Sequence, residues 1–529
     1  MAASSIIDPA TGRPAQLPAA ARARRVNMSA FEAADVAGQD LGSWLPAVYS
    51  PDAAMGFDRP AILARLHDLV RNDGWAAGTV ASTVNAAVGP NLRLSSKPDY
   101  RALGISFEQA TELGRQIEML WRGYCNDPRH YCDARRQTTM GGLFYKGFRS
   151  RIVAGETIML PLWRPVPGFD YATCFDVLDP QRLSNPNDGF DTEYLRSGVA
   201  IDDFGAAVGY HFRKGHPGDF GAILGAELYE WEYVEREWPW GRPQVIHYFR
   251  PDEAEATRGL SPLTPIVRRL KMMGRWESAE VQAAVANAVL AAYLETSLPP
   301  DVAADVLDDK AKRDSLNDDR LDFYEAAPIS LSGFRIPIVP AGDRINFATP
   351  QRPNREAGNF AKLSLRYLAA ATGLNPSTIS RDYSETNYSS ERAAMVEAWK
   401  TITVERVFFG QGTATPALAC FLEEAIDIGR LRLPPGAPAF WEAPAAYLRG
   451  EWIGAGRGWV DPLKEAQASG ERVDNLLSTL EREHAEQGSD WEEDIEQRGR
   501  EQAKLREVGV EPAERRPIVT PQDREEDRS

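Results

Sequence analysis

From Thr264 the chain runs to Thr296 with one glycine, Gly274, and no proline after Pro265. Threonine can cap free N–H groups and proline fits the first helical position, so the run predicts a single helix over 265–296. About 32 residues at 1.5 Å each make a rod of roughly 48 Å, near three times the length of an ordinary helix. A rod of that length either crosses a large assembly or stands beside copies of itself. Its second half, SAEVQAAVANAVLAAYLE, carries small side chains on every face, which suits close helix approach and leaves little bulk for a private core. Neighbours from other chains are expected, with Ala284, Ala288 and Ala291 as packing positions.

After Pro299-Pro300 an acidic stretch, DVAADVLDDKAKRDSLNDDRLDFYE, precedes the β-like ISLSGFRIPIVPAGDRINFA, so 297–350 predicts a small α/β insert at the tip of the rod. A return helix is expected from about Asn354 to Thr372, with Phe360, Leu363, Tyr367, Leu368 and Ala371 at helical spacing and a stop at Gly373 and Asn375-Pro376. Residues 374–389, LNPSTISRDYSETNYS, predict a mobile polar loop. Ser390-Glu391 then start a helix striped with Met395, Val396, Trp399, Ile402 and Val407.

The chain before the rod predicts an aperiodic arm over 1–58 and a mixed α/β body over 59–261. Helices are expected from Pro60 (Ile62, Leu63, Leu66, Leu69, Val70), through Val80 and Val84 to Gly89-Pro90, and from Ser106 to Tyr124. Ile152–Trp163, Cys174–Leu178, Val199–Arg213, Leu228–Val234 and Val245–Phe249 read as strands. Further helices and turns are expected from 413 to 485. Residues 464–529 hold 11 basic and 19 acidic side chains, with a solvated tail expected beyond about Val510.

Composition narrows the function. The 529 residues are 43% hydrophobic and 26% charged, ordinary for a folded soluble chain and long enough for two or more structural regions. The formal charge of -16 disfavours a tight groove-reading DNA binder. Four cysteines, Cys125, Cys132, Cys174 and Cys420, cannot frame a disulfide scaffold, and neither the amino terminus nor Val281–Leu294 reads as a signal or spanning segment, so a soluble intracellular protein is expected.

Enzymatic motifs are missing: no G-x-x-x-x-G-K-[ST], no G-x-S-x-G and no H-E-x-x-H occurs. Cys125, His130 and Cys132 match no usual zinc spacing, and GAGRG (454–458) reads as a turn because strand-then-helix flanks are not predicted. Asp202-Asp203 and Asp308-Asp309 read as solvated surface and His216-Pro217-Gly218-Asp219 as a turn. No cofactor and no metal are expected. Arg381, Asp382, Tyr383, Asn387 and Tyr388, with Ser377 and Thr378 before them, instead offer hydrogen bonds and stacking to a passing phosphate backbone without the lysine density that would hold it.

Several segments together resemble the lambda-type portal family of tailed bacteriophages, and the resemblance covers nearly the whole chain. They are RNDGWAAGTVASTVNAAVGPNLRL (71–94), GET (155–157), VLDPQRLSNP (177–186), GVAIDDFGAAVGYHFRKGHPGD (198–219), RGLSPLTPIVRRLKMMGRWESAEVQAA (258–284), LRYLAAATGLNPSTISRDYSETNYSSERAA (365–394) and GWVDPLKEAQAS (458–469). The resemblance implies an α+β portal fold. Its parts would be a wing (59–261, with a further wing helix at 390–412), a two-helix stem (262–296 and 351–373), a clip (297–350), a tunnel loop (374–389), a carboxy-terminal wing and helical crown over 413–485, and an acidic charged segment and tail over 486–529. It also implies a non-enzymatic homododecameric ring at the capsid vertex of the virion, assembled in host cytoplasm, that conducts double-stranded DNA. Expected partners are the terminase large subunit, the major capsid protein and a head–tail connector or head-completion protein, with no membrane. Another collar component of the connector, or a packaging nuclease, are the alternatives.

Overall fold

The computed structural model describes residues 43–219, 229–289, 293–296, 343–346, 357–384, 388–459 and 461–510. The first helices follow the sequence pattern. Arg59–Asn72 buries Leu63, Leu66, Leu69 and Val70, and Gly74–Ala87 buries Ala76, Val80 and Val84. Asp73 separates them: its backbone is extended and its side chain accepts from Ala76 N at 2.8 Å, which starts the second helix. Phe107–Cys125 opens on a reciprocal capping box between Ser106 and Gln109.

Eleven strands are described, all in antiparallel ladders: β1 (Arg93–Ser96), β2 (Glu156–Trp163), β3 (Thr173–Leu178), β4 (Leu195–Arg196), β5 (Val199–Ile201), β6 (Ala207–Arg213), β7 (Trp231–Glu235), β8 (Ile246–Phe249), β9 (Tyr293–Thr296), β10 (Asp343–Asn346) and β11 (Gly450–Ile453). One sheet runs β3-β2-β8 and a second β4-β5-β6-β7. Helices and antiparallel sheets in separate layers make an α+β body. Strand bounds shift by a residue at the start of β3 and β8 and at the end of β7, and two differences change the element itself. Ile152 ends a helix, Met140–Ala154, that Gly155 closes at φ 91°, and 199–213 is two strands joined by a turn in which Asp202 accepts from Phe204 N and Ala206 N.

The main core forms around Thr415–Asp427, whose Ala417, Leu418, Cys420, Phe421, Leu422 and Ala425 are all buried. Phe421 meets Trp121, Tyr124 and Tyr171 at ring-centroid distances of 4.7–5.2 Å. At one end of this helix the Glu424 carboxylate accepts from Ala172 N and Thr173 N, tying the core to the start of β3. A smaller core of Ile158, Leu178, Leu183, Val199, Tyr210, Phe212 and Val245 fills the space between the two sheets.

The long helix is shorter than the sequence suggests. Thr264–Ile266 is a 3-10 turn, the α-helix spans Val267–Val289, and 293–296 is strand β9, paired in register with β10. Thr264 does not cap: its hydroxyl has no partner, and Ser261 Oγ instead accepts from Leu263 N at 3.1 Å. The return helix spans Ala357–Thr372. Of the aperiodic arm expected over 1–58, residues 1–42 lie outside the described residues, but Pro51–Gly56 is a helix capped by Ser50, and its Asp52 accepts from Thr257 N at 3.0 Å; the tail at 511–529 and most of the insert also lie outside.

Candidate functional site

The segment that leads into the long helix is anchored on Gly155-Glu156-Thr157. Glu156 is fully buried at the start of β2, and three cationic or ring partners from distant segments reach its carboxylate. Arg59 Nη2 donates at 2.7 Å, Arg258 Nε at 2.9 Å, and His247 Nε2 lies 3.0 Å away. Burial alone would raise this carboxyl, but Arg258, Arg59 and His247 hold it well below the ordinary range. Burial, then repulsion from Arg258, brings Arg59 down to about 10, and burial lowers His247.

Arg258 also donates to the carbonyls of Leu183 and Pro180 at 2.9 and 3.1 Å and to that of Ser197, so one guanidinium joins β2 to the loops beside β5. Glycine is required here. A Cβ on Gly155 would stand 2.5 Å from the Leu260 carbonyl carbon, and one on Gly259 2.2 Å from Gly155 O. Thr157 Oγ1 donates to Gly147 O at 2.6 Å and Ser261 Oγ to Ile152 O at 2.7 Å. Residues 258–263 are thus fixed to the body immediately before the 3-10 turn that buries Ile266 and the long helix, whose first turns bury Leu270 and Met273.

From that anchor the long and return helices form an antiparallel hairpin. Trp276 meets Phe360 at 4.8 Å, and the Arg269 guanidinium lies 3.6 Å over the Tyr367 ring. Met272, Val281, Val285, Phe360 and Leu363 are exposed in the single chain, between 41% and 62%. Ala284 is exposed too. The side chain of Ala288, and Ala291 entirely, lie outside the described residues. β9 and β10, Thr296 opposite Asp343 and Tyr293 opposite Asn346, bring the two ends of the acidic insert side by side.

The polar segment 374–389 divides in two. Pro376–Ser380 is a helix, not loop, and Ser377 and Ile379 are buried in it. Ser377 Oγ donates to Glu391 at 2.8 Å and Asn375 Nδ2 at 3.1 Å, while Thr378 is half-buried. The exposed portion begins at Arg381, which sits at φ 55°, and continues with Asp382, Tyr383 and Ser384. Asp382 turns back on Ser384, accepting from its N at 3.0 Å and its hydroxyl at 2.6 Å. Asn387 lies outside the described residues. Tyr388 opens the next helix, Tyr388–Phe409, two residues before the expected Ser390 start.

That helix carries a cation the sequence did not single out. Arg406 donates to Ala87 O at 2.8 Å, Ala86 O at 2.9 Å and Ala455 O at 2.7 Å, closing the C-terminus of the Gly74–Ala87 helix; burial lowers it to about 10.

Other sequence candidates find structural places. Cys125 and Cys132 are buried thiols raised by burial, Cys132 to about 12, and among the described residues no three His, Cys, Asp or Glu gather as metal ligands. His216 Nδ1 accepts from Gly218 N at 3.0 Å within its turn. GAGRG does lie between a strand, β11, and a helix, Pro462–Asp474, contrary to expectation. It still offers no phosphate cradle: Cβ atoms on Gly454 and Gly456 would come within 2.6 Å of Ala87 O and 2.3 Å of Gln487 O, and Asp461 already caps the helix. Asp308-Asp309 lies outside the described residues. Among the described residues no helix is long and apolar enough to cross a membrane.

An α+β body that clamps the base of a helical hairpin is the architecture these residues define. The family model for phage portal proteins of the lambda family matches residues 37–406. The portal protein of Escherichia phage N15 is 34% identical over 483 residues, 90% of each chain. Portal protein B of Escherichia phage lambda is 33% identical over 483 residues, 90% of this chain and 89% of that one. The chain belongs to the lambda family of phage portal proteins. Two solved chains align more loosely. One is from the virion of a native gene transfer agent particle (12% identity, TM-score 0.40, 74% of this chain and 94% of that one). The other is from the neck of an empty particle (13%, 0.42, 82% and 93%).

Proposed function

We propose that twelve copies of this chain form a ring at one vertex of the capsid, and that double-stranded DNA passes through its centre inward during packaging and outward at ejection. The observation that carries the reading is the hairpin of Val267–Val289 and Ala357–Thr372. It is anchored at its base by the Glu156 junction and leaves apolar side chains exposed in one chain. In a ring each hairpin lies between two copies of itself, and a head-to-tail contact closes without an open end. The hairpin is then the stem, the insert between β9 and β10 the clip, residues 381–387 the part of the loop nearest DNA, and the carboxy-terminal helices the crown.

The charge suits a conduit. A lumen that neutralised many phosphates would hold DNA through counter-ion release, whereas a chain of net charge -16 lets it slide. The ring would dock the terminase large subunit during packaging and a head–tail connector afterwards, within a shell of major capsid protein; no catalytic step is assigned to the chain. Native mass spectrometry and electron microscopy of the purified protein test this. A closed ring near twelve copies is the expected result, a six-copy ring would favour a collar component, and compact monomers at every concentration would overturn the reading.

A further inference from the structure

The last described region, residues 461–510, holds three helices, Pro462–Asp474, Leu480–Glu486 and Trp491–Glu507, and it attaches to the body in an unusual way. Its only buried side chains are Glu465 and Asp490. Leu463, Leu476, Leu477, Leu480 and Ile495 are 45–91% exposed, so no apolar core joins these helices to the rest of the chain. Charge joins them instead. The region carries 14 acidic against seven basic residues, and the surface beneath it, β1 with Lys97 just after it and the Phe107–Cys125 helix, presents Arg93, Lys97 and Arg122, while Arg115 is paired with Glu112 on its own helix.

Glu493 pairs with Arg93 at 3.6 Å and with Arg122, and Glu481 pairs with Lys97 and accepts from Ser95 Oγ at 3.3 Å. Arg115 is held first by Glu112 on its own helix, at 2.8 Å, and Glu496 and Glu492 across the gap add to the pull on it. The link is GAGRG. Gly456 packs against the backbone of Gln487, and Arg457 donates its N–H to Glu486 O at 2.9 Å and pairs with Glu465 at 3.3 Å. Gly458, at φ 76°, has open space around it.

We propose that residues 461–510 form an ionic latch, closed on β1 and the Phe107–Cys125 helix by these pairs, that opens about the glycine link as counter-ions screen them. Partly exposed pairs each contribute little and are weakened by salt, whereas an apolar interface would hold or tighten. The latch has a second control in Glu118, on the same helix as Arg115 and Arg122. It accepts from Ser96 N at 2.6 Å and has Arg122 on its own helix, but it faces Asp490 and Glu492. Burial, with those two carboxylates, pushes Glu118 up to about 7. The sign follows from linkage: the closed form holds the proton more tightly, so closure is favoured below about pH 7 and weakens as pH rises through it. The inference is independent of ring formation, since every contact lies within one chain.

Hydrogen exchange of the full-length protein tests it, with the core helix Thr415–Asp427 as internal reference. Between about 0.1 M and 1 M sodium chloride, where the Debye length shrinks from roughly 10 to 3 Å, exchange in 462–507 should rise on the order of tenfold while the reference stays unchanged. Raising pH from about 6 to about 8 at low salt, after correction for intrinsic exchange, should act in the same direction, and Glu118→Gln should abolish that pH step while keeping the salt response. Exchange in 462–507 that ignores salt, or that changes only together with the reference helix, would overturn the latch. A pH step that survives in Glu118→Gln would overturn the role given to Glu118.

Discussion

Glu156 shows what one carboxylate can organise. It neutralises part of a buried cluster in which Arg59 and Arg258 would otherwise repel each other, and the three segments it joins lie 91–102 residues away from it. Replacing it by glutamine keeps the shape and strands two buried guanidinium groups, so Glu156→Gln should destabilise the chain by about 3–5 kcal/mol, read as a lowered denaturation midpoint. Because its folded pKa is depressed, its contribution is complete above the ordinary carboxyl value of 4.5 and is lost as pH falls below it. An acid titration of stability should therefore show a loss below pH 4.5 that is smaller in Glu156→Gln. None of this was legible in the sequence. GET could be noticed as a segment shared with a family, but the partners of Glu156 are set by tertiary packing and no local spacing points to Arg59, His247 or Arg258. Arg406 is similar: a lone arginine in a helical stripe gives no sign that it caps another helix 320 residues earlier.

Among elements, legibility follows how local the determinant is. The helices after Arg59 and Ser106 match because caps and apolar spacing lie within a few residues of each other. The long helix was overextended because AAYLET is a good helical sequence by propensity, and only the ladder with β10, some fifty residues on, makes it a strand. Thr415–Asp427 falls where helices are expected, within 413–485, but its place at the centre of the core is not legible because a helix buried on several sides shows no single apolar face. The exposed residues of the hairpin give a prediction at this scale. Val281→Glu with Val285→Glu should leave helix content and thermal stability nearly unchanged, since both are exposed in the single chain, while ring formation in native mass spectra falls sharply. Deleting 381–387, and sparing Asn375 and Ser377, which are tied to Glu391, should leave rings intact while lowering packaged DNA. Rings lost in that deletion would mean the segment builds the assembly rather than meeting DNA.

At the scale of the whole molecule, the chain combines a firmly packed body with parts that have little core of their own. β1 and β11 join residues 93–96 to 450–453, so the body closes on itself across most of the sequence. The hairpin leaves it through the short, heavily cross-linked stretch 258–263 and returns through 374–380, where Leu374, Ser377 and Ile379 are buried. Sequence composition did announce this division, through an alanine-rich rod and an acidic carboxy-terminal region, but the way each part attaches had to be seen. The pairing of β9 with β10 has a consequence of its own. Whatever sequence lies between Thr296 and Asp343 must start and finish at the same doorway. Its length and chemistry can therefore be rewritten with the rod and body left as they are, so that a single cassette can be exchanged without rebuilding what carries it.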